Sequence, residues 1–522
     1  MSYGIYPRGV VEQAINELIA SLAIPIARTI YINPTFAING DGTTWTQAAT
    51  PGGVGAFNAY GTGSWVSGAH DFTHFWRDGT RYLQAAETTY SATVVVYASV
   101  GLIFGTYDPA TGAQIQDNTR HARIYAVTGH GINFGGFSAT RRLFLLDNLD
   151  SRALNRTASG NYPLTGFAAH NFRADVGVVR CILDGYTCSS VSGAGQTYIG
   201  NGFYGYGDGI GGTGTLLRAE YNTKLNDPAL PIKSAEYDMC AMQTNDTYTV
   251  ESYIMRNNDL RLAAGVTTDK QGAYFYNSNA AGTVATLSPN MPTGPMLIER
   301  NLIRGANQSV LAMFNRVAVK YNNIEDSVAR IMTMWGSECL IEGNRGVHNG
   351  AQSSLALNAS TAAPGGTTTV RNNEFLDMVV GITDYTATAP RTLVLENNIF
   401  SRKKQTTEAN DAMRFIATTS TCTLQASNNT FFYDPADTAE LFSIGSVVKT
   451  WAQYVAGWDA AGLNTDPQLT ANGGPASATS PSYHSGKQPP YAAYARNDIP
   501  RWMPPSRGAS EYVEARPTRM LP

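Results

Sequence analysis

Tyr253-Ile-Met255-Arg-Asn-Asn258-Asp-Leu260 is the first of seven copies of one short pattern, apolar–x–apolar–x–x–Asn–x–apolar. The others are Met296-Leu-Ile298-Glu-Arg-Asn301-Leu-Ile303, Val317-Ala-Val319-Lys-Tyr-Asn322-Asn-Ile324, Cys339-Leu-Ile341-Glu-Gly-Asn344, Thr368-Thr-Val370-Arg-Asn-Asn373-Glu-Phe375, Leu393-Val-Leu395-Glu-Asn-Asn398-Ile-Phe400 and Leu424-Gln-Ala426-Ser-Asn-Asn429-Thr-Phe431. Apolar residues two apart place their side chains on one face of a strand. An Asn at a fixed offset suits a tight bend, because Asn tolerates the left-handed backbone conformation. Stacked coil on coil, such residues can form a hydrogen-bonded ladder. The asparagines are 43, 21, 22, 29, 25 and 31 residues apart, and 43 is near two of the shorter periods. A period of this size with short strands indicates a solenoid, in which no repeat buries its apolar face alone. Asn-rich loops scattered between ordinary strands would not keep seven copies in register.

Composition agrees. Gly (51) and polar turn residues are plentiful, while charged residues are only 15% of the 522, which suits strands and turns better than helices. A formal net charge of −3 offers nucleic acid no basic surface. No apolar run reaches the length of a membrane span. Leu18–Ile26 is apolar but short and follows Glu12 and Glu17, so it does not read as a signal peptide. The five cysteines (Cys181, Cys188, Cys240, Cys339, Cys422) are odd in number and lack metal-ligand spacing. No metal or other cofactor is therefore expected, Cys339 reads as a buried thiol, and folding in a reducing cytoplasm is expected.

In chain order, Val11, Ile15, Leu18, Ile19 and Leu22 predict an amphipathic helix over Val10–Ala23. A helix this short needs something to pack on: the end of its own solenoid, another copy, or a larger particle. Thr29-Ile-Tyr-Ile-Asn-Pro-Thr35 and Gly40-Asp-Gly-Thr-Thr-Trp45 precede strand-like runs at 92–97, 122–126 and 142–146. Gly129–Gly136 reads as a coil corner. Residues around 185–250, with Tyr204-Gly-Tyr-Gly-Asp208, and around 277–295 break the rhythm and read as protruding insertions. Val447–Ala461 predicts a capping helix, followed by a tail with Asn464-Thr-Asp466-Pro467 and Arg507-Gly-Ala-Ser-Glu511-Tyr512. The predicted organisation is a segment and helix over 1–28, a solenoid over 29–446, and a helix with capping tail over 447–522.

These repeats resemble the right-handed parallel β-helix of pectate-lyase-like proteins. The opening strand with its Gly-Asp-Gly turn and the closing Gly-Ala-x-Glu-Tyr resemble the two ends of many bacterial and phage β-helix proteins. Over about residues 29–515 the chain is similar to bacteriophage tailspikes. The resemblance implies an all-β fold, a homotrimer, and a place on a virion with other tail proteins bound through the N-terminus. It also implies binding, and usually cleavage, of a bacterial surface polysaccharide. The short N-terminus departs from spikes that carry a large particle-binding domain, and no tailspike motif transfers residue by residue. The likeness is specific for fold and weak for reaction.

Strand alternation then orders the outward positions. One column reads Arg256, Glu299, Lys320, Glu342, Arg371, Glu396, Ser427. Its alternating signs predict a structural salt ladder rather than catalytic glutamates. The neighbouring column, Ile254, Leu297, Ala318, Leu340, Thr369, Val394, Gln425, is an apolar stripe. It predicts threefold self-association, or a cover formed by the loops of 185–250.

For polysaccharide, Tyr204, Tyr206, Asp208, Tyr274 and Trp335 are candidate binding residues, while Phe275 and Phe314 read as core. Hydrolysis needs two carboxylates, one protonated and one ionised. Glu325-Asp326 with Asp377 is one candidate constellation, and Glu236 and Asp238 with Asp269 is another. A lyase would need a base, for which Lys270, Tyr274, Arg330 and His348 are available. A receptor-binding or structural spike needs no acid pair. Hydrolase, lyase and non-catalytic spike all remain open at this point.

Overall fold

A strand, one left-handed corner residue and one asparagine form the unit from which the chain is wound. The computed structural model describes residues 7–21, 29–35, 42–48 and 72–74, the strands and adjoining turns between 82 and 482 named below, and Arg507. They fall into two compact units, residues 1–263 and 264–522. Each is a parallel β-helix in which a coil gives one strand to each of three sheets.

In the second unit the first sheet comprises Met296–Glu299, Val317–Lys320, Leu340–Glu342, Gly366–Arg371, Arg391–Glu396 and Cys422–Ser427. The second comprises Leu302–Arg304, Asn323–Glu325, Arg345–Val347, Glu374–Leu376, Ile399–Ser401 and Thr430–Phe432. The third comprises Gln271–Ser278, Gln308–Ala312, Arg330–Met334, Ser353–Leu357, Val380–Asp384, Arg414–Ala417 and Phe442–Ile444.

Two residues join each first-sheet strand to its second-sheet strand. The first of them has positive φ: Arg300, Tyr321, Gly343, Asn372, Asn397 and Asn428, between 54° and 66°. The left-handed residue is thus the predecessor of the repeat asparagine, not the repeat asparagine itself. At Gly343 a Cβ would stand 2.5 Å from the Tyr321 ring, and Arg300 covers that ring at 5.5 Å from its centroid.

The repeat asparagine is needed for its amide. The backbone N–H and Nδ2 of Asn322 donate to Oδ1 of Asn344 at 3.0 and 2.9 Å, and Nδ2 also donates to the Ile298 carbonyl at 3.0 Å. The same Asn-to-Asn bonds link Asn301 to Asn322, Asn344 to Asn373, Asn373 to Asn398 and Asn398 to Asn429, all buried. Asn429 donates to Asp459, whose carboxylate also accepts the Asn428 N–H at 2.7 Å. A carboxylate only accepts, so it ends the ladder and leaves no donor over.

In the first unit the ladder runs Asn201, Asn222, Asn258. The first two escape the sequence pattern because Gln196 and Lys224, both buried, stand where the pattern wants an apolar residue. Cys181 occupies the preceding rung, its N–H donating to Oδ1 of Asn201 at 2.9 Å.

Residues around 185–250 carry the strands Thr187–Ser192, Gly195–Ile199, Gly202–Phe203, Ile210–Thr213, Leu216–Glu220, Thr223–Lys224 and Cys240–Asn245. Residues 205–208, 227–237 and 279–292 lie outside the described ones. Ile132–Gly135, read as a corner, is a third-sheet strand. Of the Gly-Asp-Gly run only Gly42 is described, and its carbonyl accepts the Tyr31 N–H of the first strand at 2.8 Å.

Helix α1 (Arg8–Ser21) packs on the outer face of the first sheet, not on the end of the solenoid. Val11, Ala14, Ile15 and Leu18 meet Ile103, Leu145, Val179 and Ile199, which are apolar where an exposed sheet would be polar. Beside them Arg180, only 1% exposed, grips Asp147 through Nε and Nη2 at 2.8 Å each and Glu12 of the helix through Nη1 at 3.0 Å. Burial pushes the Asp147 carboxyl above its usual range despite the guanidinium.

At the other end, α2 (Trp451–Gly457) caps the second unit, shorter than the predicted 447–461 because Val447–Lys449 pairs with Phe442–Ile444. Thr450 and Gln453 form a capping box at its start. Tyr454 stacks on Phe442 at 4.2 Å and meets Phe431 at 5.3 Å, closing the row Phe375, Phe400, Phe431. Cys339 is buried as expected, and burial pushes its thiol up to about 11.

Asn344→Ala strips the acceptor from two donors of Asn322 and should cost on the order of 3 kcal/mol. Cys181→Asn adds a rung and should gain about 1 kcal/mol. Urea unfolding midpoints check both. Arg180→Ala, which leaves Asp147 buried without its partner, should cost about 3 kcal/mol and free residues 8–21 to exchange amide hydrogens; unchanged exchange there would show that the apolar contacts alone hold α1.

Candidate functional site

The first-sheet face of residues 264–522 is structural. Glu299, Lys320, Glu342, Arg371, Glu396 and Ser427 stand in register. Arg371 meets Glu342 at 2.9 and 3.3 Å. In the first unit, Glu220 is held between Arg218 at 2.9 Å and Arg256 at 2.8 Å. Glu342 and Glu396 are buried, and in this column Arg371–Glu342 is an ion pair while the other opposite charges stand in register. The adjoining apolar column Leu297, Ala318, Leu340, Thr369, Val394 is also in register and partly exposed.

On the second sheet, inward Ile303, Ile324 and Phe375 leave the alternate residues outside. Glu325, whose side chain is 34% exposed, lies 3.9 Å from Arg304 and accepts from Nδ2 of Asn323 at 3.0 Å. Asn323 in turn accepts from Arg345 at 3.3 Å. Arg345 is paired in register with Glu374, which is out of contact with water. Glu325 and Glu374 thus bracket Asn323 and Arg345, one carboxylate wet and one dry. Asp326 and Asp377 are left-handed corner residues, at φ 52° and 55°, which Asp tolerates better than most residues. The coil of Arg345–Val347 separates them, so they stand about 10 Å apart along the stack rather than adjacent.

The third sheet brings together two of the aromatic candidates. Tyr274 is in register with Leu311 and Thr333. On the next outward row come Tyr276, Met313 and Trp335, linked by Met313 N–H to Phe275 C=O and Trp335 N–H to Ala312 C=O. The rings of Tyr274 and Tyr276 lie 5.2 Å apart at 50°. Tyr274 and Thr333 are buried; among the described residues the Thr333 hydroxyl and the Trp335 indole Nε1–H, both shielded from solvent, make no hydrogen bond, and the Trp335 side chain is partly exposed. Phe275 and Phe314 are core residues, as expected.

Tyr204 belongs to a separate cluster on the second sheet of the first unit. Arg152 lies over the rings of Tyr125 and Tyr204 at 5.1 and 5.2 Å and grips Asp150 at 2.7 and 2.9 Å. Burial and then Asp150 push the Tyr125 phenol up to about 12. Arg152 and Asp150 saturate each other, which marks this cluster as a brace. Asp238 is partly exposed and its carbonyl accepts the Gly209 N–H. Tyr206, Asp208, Glu236, Asp269 and His348 lie outside the described residues.

Glu374, Arg345 and Thr333 were not among the sequence candidates, whereas Tyr276 stood among the aromatics suited to stack under sugars. The alternation that ordered the first sheet would have found Arg345 and Glu374, since each directly follows a ladder asparagine. Thr333 carried no signal of its own.

A family model for the right-handed beta helix region matches residues 240–431, the stretch from Cys240–Asn245 through Thr430–Phe432. No curated protein sequence matches the chain. The fold is a right-handed parallel β-helix, consistent with proteins that bind or degrade polysaccharide.

The environments of the two glutamates separate by stability. Glu342→Ala leaves Arg371 half-buried without its partner and should cost about 2 kcal/mol. Glu325→Ala, half in water, should stay within about 0.5 kcal/mol. Urea unfolding of the two variants checks the difference, and a Glu325 loss equal to that of Glu342 would make it part of the framework.

Proposed function

We propose that this protein binds a bacterial surface polysaccharide, as tailspike-type proteins do, on the third-sheet face of residues 264–522. The observation that carries the reading is the coincidence of Tyr274, Tyr276 and Trp335 with two unpartnered donors on one face. Aromatic rings offer rigid apolar area at low entropic cost, and the Thr333 hydroxyl and Trp335 N–H supply direction. The solenoid holds these groups at the strand spacing of about 4.8 Å, so little order is lost on binding. The partly exposed apolar column of the first sheet supports self-association, for which threefold symmetry and a place on a phage particle are the forms we propose.

Degradation is the second reading, favoured by Glu325 and Glu374. A hydrolase uses two carboxylates whose surroundings differ, one holding a proton and one ionised. Glu374 is dry, Glu325 is wet, and Asn323 and Arg345 between them can hold sugar hydroxyls.

With isolated capsule, exopolysaccharide or O-antigen, Trp335→Ala should weaken binding roughly 30-fold, about 2 kcal/mol, by titration calorimetry, and Tyr204→Ala, in the Arg152 cluster, serves as a comparison. Undiminished affinity of Trp335→Ala rejects the site. Size-exclusion of the incubated polymer then tests cleavage. Shortening that Glu325→Gln abolishes supports hydrolysis, shortening with the ultraviolet absorbance of an unsaturated sugar supports a lyase, and unshortened bound polymer leaves binding alone.

A further inference from the structure

We propose that Arg391 is a positioning residue for the polysaccharide face, holding from inside the solenoid the backbone that aims Trp335. The inference rests on the reading that Trp335 meets the ligand. Arg391 is 3% exposed and stands on the inward side of its first-sheet strand, two residues before the core residue Leu393. Its Nη2 donates to the carbonyl of Gly336 at 3.2 Å, 55 residues back in the chain. Gly336 directly follows Trp335 and belongs to the coil of Leu340–Glu342, two coils before that of Arg391. The coil between contributes Gly366, in register with Arg391, and so puts no side chain in the way.

The corner that carries Trp335 is clamped from two directions. On the side of the preceding coil, the Ala312 carbonyl accepts the Trp335 N–H at 2.8 Å, and Oδ1 of Asn315 accepts the Ser337 N–H and Oγ at 2.7 and 3.1 Å. Gly336 lies so close to that coil that a Cβ would collide with the Phe314 carbonyl. On the side of the later coils it is Arg391 that meets the Gly336 carbonyl. Backbone fixed on both sides of an aromatic residue fixes where its ring stands, which a stacking contact with a sugar requires.

Stability does not account for a charge at this position. Arg180, likewise buried, is paired with Asp147 and Glu12. Arg391 forms no ion pair among the described residues, and its Nη1 has no hydrogen-bond partner. Burial pushes the nearby Cys422 thiol up to about 12, Asp384 adds to that rise and Arg391 opposes it, yet Asp384 and Arg391 are not joined in an ion pair. A buried charge without a partner lowers stability. A group kept at such a cost marks function rather than folding, and what this one does is hold the corner behind Trp335.

The test compares Arg391→Met, which removes the donor, with Arg391→Lys, which keeps a charged donor for the Gly336 carbonyl. With the capsule, exopolysaccharide or O-antigen preparation that binds wild type, titration calorimetry of Arg391→Met should show binding about tenfold weaker. Arg391→Lys should stay within about threefold of wild type. The urea midpoint of Arg391→Met should match wild type, because relief of the buried charge offsets the lost hydrogen bond. In protein labelled with fluorotryptophan, the fluorine resonance missing from Trp335→Phe should shift or broaden in Arg391→Met with no ligand present. Arg391→Gln, too short to reach Gly336, takes the place of Arg391→Met if that variant does not fold. Wild-type affinity, an unmoved Trp335 resonance or a lowered urea midpoint overturns the proposal. So does Arg391→Lys binding as weakly as Arg391→Met, and so does loss of folding in both Arg391→Met and Arg391→Gln, since Arg391 would then serve the fold. If Trp335→Ala binds as wild type, the polysaccharide reading falls as well; if Trp335→Ala binds weakly and Arg391→Met does not, only the role of Arg391 falls.

Discussion

A backbone that turns a corner inside a protein must find partners for the N–H and C=O groups it pulls out of the sheets. In this chain the asparagine amide supplies them at the corner between first and second sheets. Each amide accepts two hydrogen bonds from one coil, gives one to the next and one to a strand carbonyl, so these amides are not left to pay the desolvation cost of an unmade bond. That requirement holds the corner at two residues in the coils that carry a ladder asparagine, while the spacing of the seven repeat asparagines varies from 21 to 43. The variation in length is taken up at the other corners. The left-handed residue before each asparagine is a consequence of the same geometry, which tolerates Arg, Tyr, Gly and Asn alike.

Once the corner is held, strand register follows and the outward columns are determined. Side chains one coil apart stand as neighbours whether or not they suit each other, so charge must alternate along a column or be avoided. The column from Glu299 to Glu396 alternates. The outward residues Ile103, Leu145, Val179 and Ile199 would make an apolar surface, and there the chain lays its own helix over the sheet, with Arg180 joining helix and body through Glu12 and Asp147. The ladders obey the same rule at their ends: a thiol-bearing rung at Cys181 precedes Asn201 in the first unit, and a carboxylate at Asp459 follows Asn429 in the second.

The surfaces able to meet a ligand lie where neither constraint applies. The third-sheet face with Tyr276 and Trp335 and the second-sheet face with Glu325, Asn323 and Arg345 are neither ladder nor continuous salt column. Several of the described acidic residues have a framework role. Asp326 and Asp377 turn corners, Asp150 braces Arg152, and Glu342 neutralises Arg371.

The amino-acid sequence by itself determined the solenoid, the inward columns, the salt ladder and the short helix near each end, because each of these depends on periodicity, and periodicity is local. It placed the left-handed conformation one residue late and missed the rungs at Asn201 and Asn222, since Gln196 and Lys224 are polar residues satisfied only by contacts inside the coil. Only the tertiary structure decided that α1 lies along a sheet face, that Arg507 returns to Asn429, and that Tyr276, Thr333 and Trp335 share a face. Those contacts join residues from separate coils, or from distant parts of the chain, and their spacing is set by how many residues each intervening corner absorbs. No local pattern encodes that number.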